Sequence, residues 1–386
     1  MKPEPFEIQI PAERLADLTE RLHRARWPGD FANPDWTCGV GEPDLRALVD
    51  YWREGFDWRA QEAQMNRYLH QRVILDEIPI HFMRVPGRGP EPLPLILTHG
   101  WPWTFWDFSK VVEALSDPAA HGGDARDAFE VIVPSLPGFG FSSPLVTGGI
   151  GTWRVGELWD RLMHEVLGFE RYAAQGGDWG ALVTAVIGHR YAAHVVGVHE
   201  SFGGFLGLDY DALGPDAYGP DEAGWWEHVQ AMQPHITSHM AVHSLDPQTL
   251  AYALNDSPVG LLAWILERRR AWSDCDGDVF RCFSRDELLT TVSLYWLTAT
   301  IGSSLRFYAE NARQSWKPLH DRTPSVEVPS GFAVFPKDVI LVPRRLAERH
   351  ANVQRWTVMP RGGHFAPAEQ PQLLVEDVRA FFRPLR

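Results

Sequence analysis

The run Gln175-Gly176-Gly177-Asp178-Trp179-Gly180 carries the strongest chemical signal in the sequence. It follows a short β-rich stretch, residues 172–175, and opens an apolar helical one, residues 181–187. Glycines on both sides permit the sharp strand-to-helix turn called a nucleophile elbow, which pushes its central side chain out beyond the sheet. That side chain is Asp178. A plain aspartate N-cap is the alternative, and the flanking glycines weigh against it. A carboxylate nucleophile narrows the reaction. A serine that opened a strained ring or displaced a halide would be left as an ether, which water does not cleave. A carboxylate is left as an ester, whose carbonyl water can attack. The target is then an electrophilic sp3 carbon, as in an epoxide or an alkyl halide.

Ester cleavage needs donors for the oxyanion, a base for the water and a partner for the base. His99-Gly100-Trp101-Pro102 directly follows an apolar run at residues 93–98, where a backbone N–H, here that of Trp101, can face the oxyanion. The residue after the nucleophile, Trp179, supplies the second donor. Arg361-Gly362-Gly363-His364-Phe365 places a histidine on a loop beyond the last β-rich run, which suits a general base. Asp338, in Phe335-Pro336-Lys337-Asp338, can orient that base and stabilise its charged form. Each has a plainer explanation taken singly: a turn, one of 16 histidines, a loop carboxylate. The chain order of nucleophile, acid and histidine favours the chemical reading.

The elements that must hold these residues are legible as alternating patterns. Short apolar runs closed by turn residues occur at 73–75, 80–85, 93–98, 129–133, 172–175, 195–199, 332–335 and 354–359. Helical patterns lie between the middle ones, at 108–115, 152–167 and 181–189. This predicts an α/β chain of the α/β-hydrolase fold, a mostly parallel sheet with helices on both faces. Residues 1–71 show amphipathic spacing at 12–26, 45–52 and 58–69 and no strong strand signal, predicting an N-terminal helical region. Strand signals also vanish over 201–324, where helical segments such as 259–272 and 287–311 predict a helical cap inserted into the core. The core is then 72–200 together with 325–386.

Composition excludes several classes. Charged residues make up 22% and hydrophobic ones 45%, the balance of a globular protein. A formal charge of −14 speaks against a nucleic-acid or anionic membrane surface. No apolar run reaches the ~20 residues that span a bilayer, and the first ten residues lack the apolar stretch of a secretory signal. Three cysteines without CxxC spacing predict neither a disulfide framework nor a cysteine zinc site, and fit a reducing cytoplasm. The 17 tryptophans and 20 phenylalanines serve a large core, a ring-lined pocket, or both.

The motifs together resemble those of the microsomal-type epoxide hydrolases, over nearly the whole chain. Arg24-Ala25-Arg26-Trp27-Pro28 and Tyr68-Leu69-His70 resemble the helical region peculiar to that branch. His99-Gly100-Trp101-Pro102, Gly176-Gly177-Asp178-Trp179-Gly180, Leu254-Asn255-Asp256-Ser257-Pro258-Val259-Gly260 and Gly362-Gly363-His364-Phe365 read as its signatures. The resemblance implies the roles given to Asp178, Asp338 and His364, no cofactor, and a small apolar or aromatic epoxide as substrate. It also implies two cap tyrosines that hold the epoxide oxygen and protonate the alkoxide. Leu305-Arg306-Phe307-Tyr308-Ala309-Glu310-Asn311 resembles the segment of the second, pointing to Tyr308. The first is replaced at its expected place by His239, which can donate a hydrogen bond as imidazole or a proton as imidazolium. His239, Trp103 and Phe141 are the candidate substrate-contacting residues. His235, His239 and His243 share one helical face at i, i+4 and i+8, but no HExxH motif accompanies them and no metal is expected. A haloalkane dehalogenase with the same aspartate, or a non-catalytic binding relative, are the alternative functions. A homodimer is compatible with the sequence.

Overall fold

The computed structural model describes residues 2–209, 213–314 and 317–386. Nine strands form one sheet: β1 (Glu4–Phe6), β2 (Leu69–Leu75), β3 (Ile78–Val85), β4 (Leu93–Thr98), β5 (Phe129–Pro134), β6 (Tyr172–Gly176), β7 (Val195–Glu200), β8 (Val326–Val334) and β9 (Ala351–Val358). Their spatial order is β1-β2-β3-β5-β4-β6-β7-β8-β9. The first three pairings are antiparallel and all those from β5 to β9 are parallel. Central strands read as continuous apolar runs because both faces are covered: every residue of β6 and β7 is buried.

The helices are α1 (Ala12–His23), α2 (Glu42–Glu54) and α3 (Trp58–Met65) before β2, then α4 (Ser109–Ser116), α5 (Thr152–Asp160) and α6 (Trp179–Arg190) among the strands. After β7 come α7 (Trp225–Leu245), α8 (Pro247–Asp256), α9 (Pro258–Ala271), α10 (Arg285–Leu297) and α11 (Ile301–Ala312). The last are α12 (Arg344–His350), α13 (Ala366–Glu369) and α14 (Pro371–Phe382). Alternation along β7 shows the two covered faces. Val198 meets Gly188 of α6, while its neighbour His199 packs on Phe381 of α14 and bonds Asp377 at 2.9 Å.

Chain connections leave β4 toward β5 on one side, whereas β6 lies on its other side. Such a reversal opens a crevice at the carboxyl ends of the strands. Thr98 of β4 pairs with Gly176 of β6, so the loops carrying Trp101 and Asp178 emerge side by side. The turn between them is tight. A Cβ on Gly180 would lie 1.9 Å from the Thr98 carbonyl oxygen, and one on Gly176 would lie 2.2 Å from the Gly180 oxygen. Gly180→Ala is therefore expected to cost about 1–3 kcal/mol or more, read as a lower thermal midpoint. An unchanged midpoint would show that the elbow does not press on the β4 loop.

Three sequence expectations need correction. The N-terminal stretch is not strand-free: Glu4–Phe6 adds an edge strand to β2, pairing Phe6 with His70. Three residues with a proline leave no periodicity to read, and the Phe6 ring anchors the strand on His81 and Phe141. The third helix stops at Met65, and β2 begins at Leu69 where a helix was expected to end. Last, the single helix expected over 287–311 is two, α10 and α11, bent by 84°. Ala299 sits at φ 53° in the break, and the Thr298 and Thr300 hydroxyls bond each other at 2.8 Å there. This bend turns α11, and with it Tyr308, in a direction a continuous helix would not take.

No single helix among the described residues is long and apolar enough to cross a membrane. Between β7 and β8 the described residues hold helices and turns and no strand. A chain of imidazoles fixes the N-terminal part to the core. Met65 O can only accept, so His70 carries its proton on Nε2 (2.9 Å) and its Nδ1 accepts from His81 Nε2 (2.9 Å). His81 Nδ1 in turn accepts from the Ser135 hydroxyl at 2.9 Å.

Candidate active site

Asp178 lies at φ 51°, ψ −128°, a conformation that non-glycine residues rarely occupy and that marks a functional constraint. Its carboxylate is gripped on one side. Trp101 N–H donates to Oδ1 at 2.7 Å, and a Cβ on Gly100 would stand 1.9 Å from that same oxygen. Oδ2 is left facing His364, whose Nε2 lies 3.2 Å away. That approach falls off the ring N–H direction, so Nε2 makes a close charged contact and no formal hydrogen bond. The two oxygens are thus differentiated before any substrate arrives. Trp179 follows Asp178 directly as the first residue of α6.

His364 Nδ1 meets Asp338 Oδ1 at 2.7 Å, and both residues are only 2% exposed. A carboxylate oxygen only accepts, so Nδ1 carries a proton, and Nε2 is the nitrogen turned toward Asp178. Asp338 Oδ1 also accepts the Val339 N–H at 2.7 Å, which fixes its rotamer. The Asp338 and His364 loops are tied by Lys337 N–H to Gly362 O at 3.0 Å. Burial lowers the His364 pKa, but the Asp338 charge and the contacts with both carboxylates outweigh it and raise it to about 10. At neutral pH the resting histidine is an imidazolium between two carboxylates.

Above Asp178 the helical segments supply rings. Tyr308 of α11 meets Trp179 edge to face at 4.8 Å between centroids and His243 at 4.8 Å. Burial, then the Asp178 charge, push its phenol well above its ordinary range, so it stays protonated. His239 stacks on Trp101 at 5.4 Å and 14° and touches Tyr308 at 5.4 Å. Burial, then neighbouring His243 and Arg268, hold His239 well below its ordinary range. It is a neutral imidazole; of the two roles open to it, only the hydrogen-bond donor remains. His235 of the same helical face is exposed, and no group of three metal-ligating side chains forms among the described residues.

The remaining candidates divide. Trp103 is fully buried with its ring edge-on to His364 at 5.6 Å, and its carbonyl accepts the Tyr295 hydroxyl at 2.7 Å. Phe141 packs on Phe6, His81 and Phe105, against the N-terminal strand.

Several residues at the site carried no usable sequence signal. Arg269, in a basic run at the end of α9, is only 2% exposed. It pairs with Asp107 at 2.7 Å, bonds Pro102 O at 2.9 Å and lies 4.1 Å over the Phe365 ring. It thereby joins α9 to the oxyanion loop and to the residue after His364. Trp272 packs edge-on to His364 at 5.3 Å and against His239 at 4.8 Å. His243 accepts from Trp264 Nε1 at 3.2 Å, and burial, then Arg268, push its pKa down to about 3. Its i+4 spacing from His239 was visible, but what it faced was not.

Known proteins resemble this chain along nearly its whole length. Residues 3–108 match the sequence profile described as epoxide hydrolase N terminus, and residues 94–199 match that of the alpha/beta hydrolase fold. A protein of Stigmatella aurantiaca that bears an epoxide hydrolase name is 41% identical, over 99% of this chain and 85% of its own. Epoxide hydrolase 1 of Oryctolagus cuniculus is 34% identical, over 98% of this chain and 88% of its own. Among solved structures, juvenile hormone epoxide hydrolase of the silkworm Bombyx mori superposes with a TM-score of 0.89 at 27% identity, covering 100% of this chain and 95% of its own.

Proposed function

The chain belongs to the microsomal-type epoxide hydrolase family, and from that premise we propose the two-step route by which it converts an epoxide to a vicinal diol. The observation that carries the reading is the asymmetric grip on Asp178: Oδ1 on the Trp101 N–H at 2.7 Å, Oδ2 toward His364. Oδ2 attacks an epoxide carbon, that carbon's bond to the ring oxygen breaks, and the resulting alkoxide takes the phenolic proton of Tyr308. His239 donates a hydrogen bond to the same oxygen. Segments 201–324 act as a cap over the crevice, and their rings favour a small apolar or aromatic epoxide.

Esterification removes the charge of Asp178. His364 then faces one carboxylate instead of two, its pKa falls, and its proton returns through solvent to the Tyr308 phenolate. Neutral His364 takes a proton from water as the water oxygen attacks the ester carbon. The charge that develops on Oδ1 is held by the N–H groups of Trp101 and Trp179. Collapse of the tetrahedral intermediate expels the diol oxygen, which is the former Oδ2 of Asp178, and His364 returns the proton to it. The retained water oxygen completes a new carboxyl on Asp178. That carboxyl passes its proton to His364, and the resting ion pair is restored.

Because a neutral imidazole N–H is a far weaker acid than a phenol, Tyr308 carries the proton transfer. Tyr308→Phe is expected to slow ester formation by about 10²–10⁴-fold, and His239→Phe by much less. Single-turnover changes in tryptophan fluorescence would measure both. A larger loss in His239→Phe would reverse the assignment.

The reaction class is tested by incubating the protein with styrene oxide, terpene oxides and chloroalkanes. Diol formation from an epoxide is expected. Halide release from chloroalkanes with no diol from any epoxide would overturn the reading.

A further inference from the structure

His364 must hold one orientation while Asp178 exchanges a free carboxylate for a bulky ester. The four backbone N–H groups of its loop show how it is held. Gly362 N–H donates to Asp274 Oδ2 at 2.8 Å, and His364 N–H donates to the Trp272 carbonyl at 2.8 Å. The other two go to one side chain. Gly363 N–H reaches Glu369 Oε2 at 3.1 Å, and Phe365 N–H reaches Glu369 Oε1 at 2.8 Å. Glu369 Oε2 also accepts the Asp274 N–H at 2.8 Å. No donor in this run of four is left to solvent. Residues 272–274 lie just beyond α9, in the helical segment that also contributes Trp272 to the wall beside His364. The fit leaves no slack: a Cβ on Gly363 would meet the Trp272 carbonyl at 2.7 Å and the Asp274 nitrogen at 2.8 Å.

We propose that Glu369 is a positioning residue for the general base, clamping the His364 loop to the 272–274 strap of the helical segment. A carboxylate suits the task. Ionised, it offers acceptors on both oxygens and no donor to repel the three converging N–H groups; burial raises its pKa to about 7, against the pull of those same three N–H bonds. A local turn alone would need Glu369 to bond only its near neighbours, Gly363 and Phe365. The bond to Asp274, 95 residues away in sequence, makes it a junction between two parts of the site. Cys282 closes the far side, its Sγ 3.9 Å from Oε2, and burial pushes that thiol up to about 12, so it brings no competing charge. The clamp acts on the second half of the reaction. Ring opening uses Asp178 and Tyr308, which make no hydrogen bond to Glu369 or the strap, and its groups meet the strap only through the Trp272 ring, against His239 and Trp101, whereas ester hydrolysis needs His364 Nε2 aimed at a water.

This inference rests on the ester route with His364 as base, and the experiment keeps the two separable. Rapid mixing with styrene oxide, quenching and intact-mass analysis follow formation and decay of the ester in the full-length protein. Glu369→Ala is expected to slow decay by about 10–100-fold, the loss attached to a misplacement of about 1 Å, with ester formation close to wild type. Asp274→Ala, which removes only the Gly362 acceptor, is expected to slow decay less and in the same direction. Thermal melting of each variant reports its fold. Equal slowing of both steps in both variants would reduce Glu369 to a structural role and overturn the proposal, as would unchanged decay. Absence of any ester in the wild-type protein would instead strike the route itself.

Discussion

Asp178→Ala should turn over epoxide at a rate at least ~10⁴-fold below wild type, the scale of loss seen when a covalent nucleophile is removed. The size follows from the place of Asp178 at the elbow. Oδ2 lies 3.2 Å from His364 Nε2, while Asp338 is only 2% exposed and engaged at 2.7 Å with the imidazole. The substitution leaves the elbow glycines in place and keeps, as in the native residue, a Cβ at φ 51°, so the variant should fold. Diol release measured by chromatography, beside a thermal melt, checks both halves. Turnover within ten-fold of wild type in a folded variant would remove Asp178 from the chemistry.

His364→Ala is expected to behave differently, stopping after one event. Asp178 can still attack, Tyr308 can still protonate the alkoxide, and the ester then waits for a water that nothing activates. Steady turnover should fall by about 10²–10⁴-fold, with one equivalent of substrate bound covalently and visible as a mass increase. The pH behaviour has a definite sign. In the resting wild type the imidazolium, raised to about 10 by two carboxylates against the effect of burial, persists through neutrality. Ester formation therefore sees no loss from His364 titration below about pH 10. Hydrolysis requires the neutral ring, so its rate rises with pH through the lower value that His364 takes once Asp178 is esterified. A His364→Ala variant that released diol steadily, with no trapped mass, would contradict the assignment.

Which parts were legible in the sequence follows from how local each signal is. The elbow, the His-Gly-Trp-Pro loop and the Gly-Gly-His-Phe loop are short motifs whose backbone constraints are written in adjacent glycines. The parallel strands were legible because burial on both faces makes them continuous apolar runs. The edge strand Glu4–Phe6 was not, because its stability comes from Phe6 packing on His81 and Phe141, residues far along the chain. Nor was the break at Thr298–Thr300, since apolar spacing continues through it and only the 84° turn reveals it. The charge state of His239 is a property of what buries it, and spacing carries no information on that. Arg269 and Glu369 belong to no motif that marks them. Their partners, Asp107 and the Asp274 N–H, lie 162 and 95 residues away.

The central claim is that substrate becomes esterified to Asp178. A single turnover in water enriched in 18O, with enzyme in excess over epoxide, tests it most directly. Water attacks the ester carbon, so the label should enter the peptide containing Asp178 while the first diol carries unlabelled oxygen. Label in the diol on that first turnover, with none in the peptide, would mean that water opens the ring directly and would contradict the account.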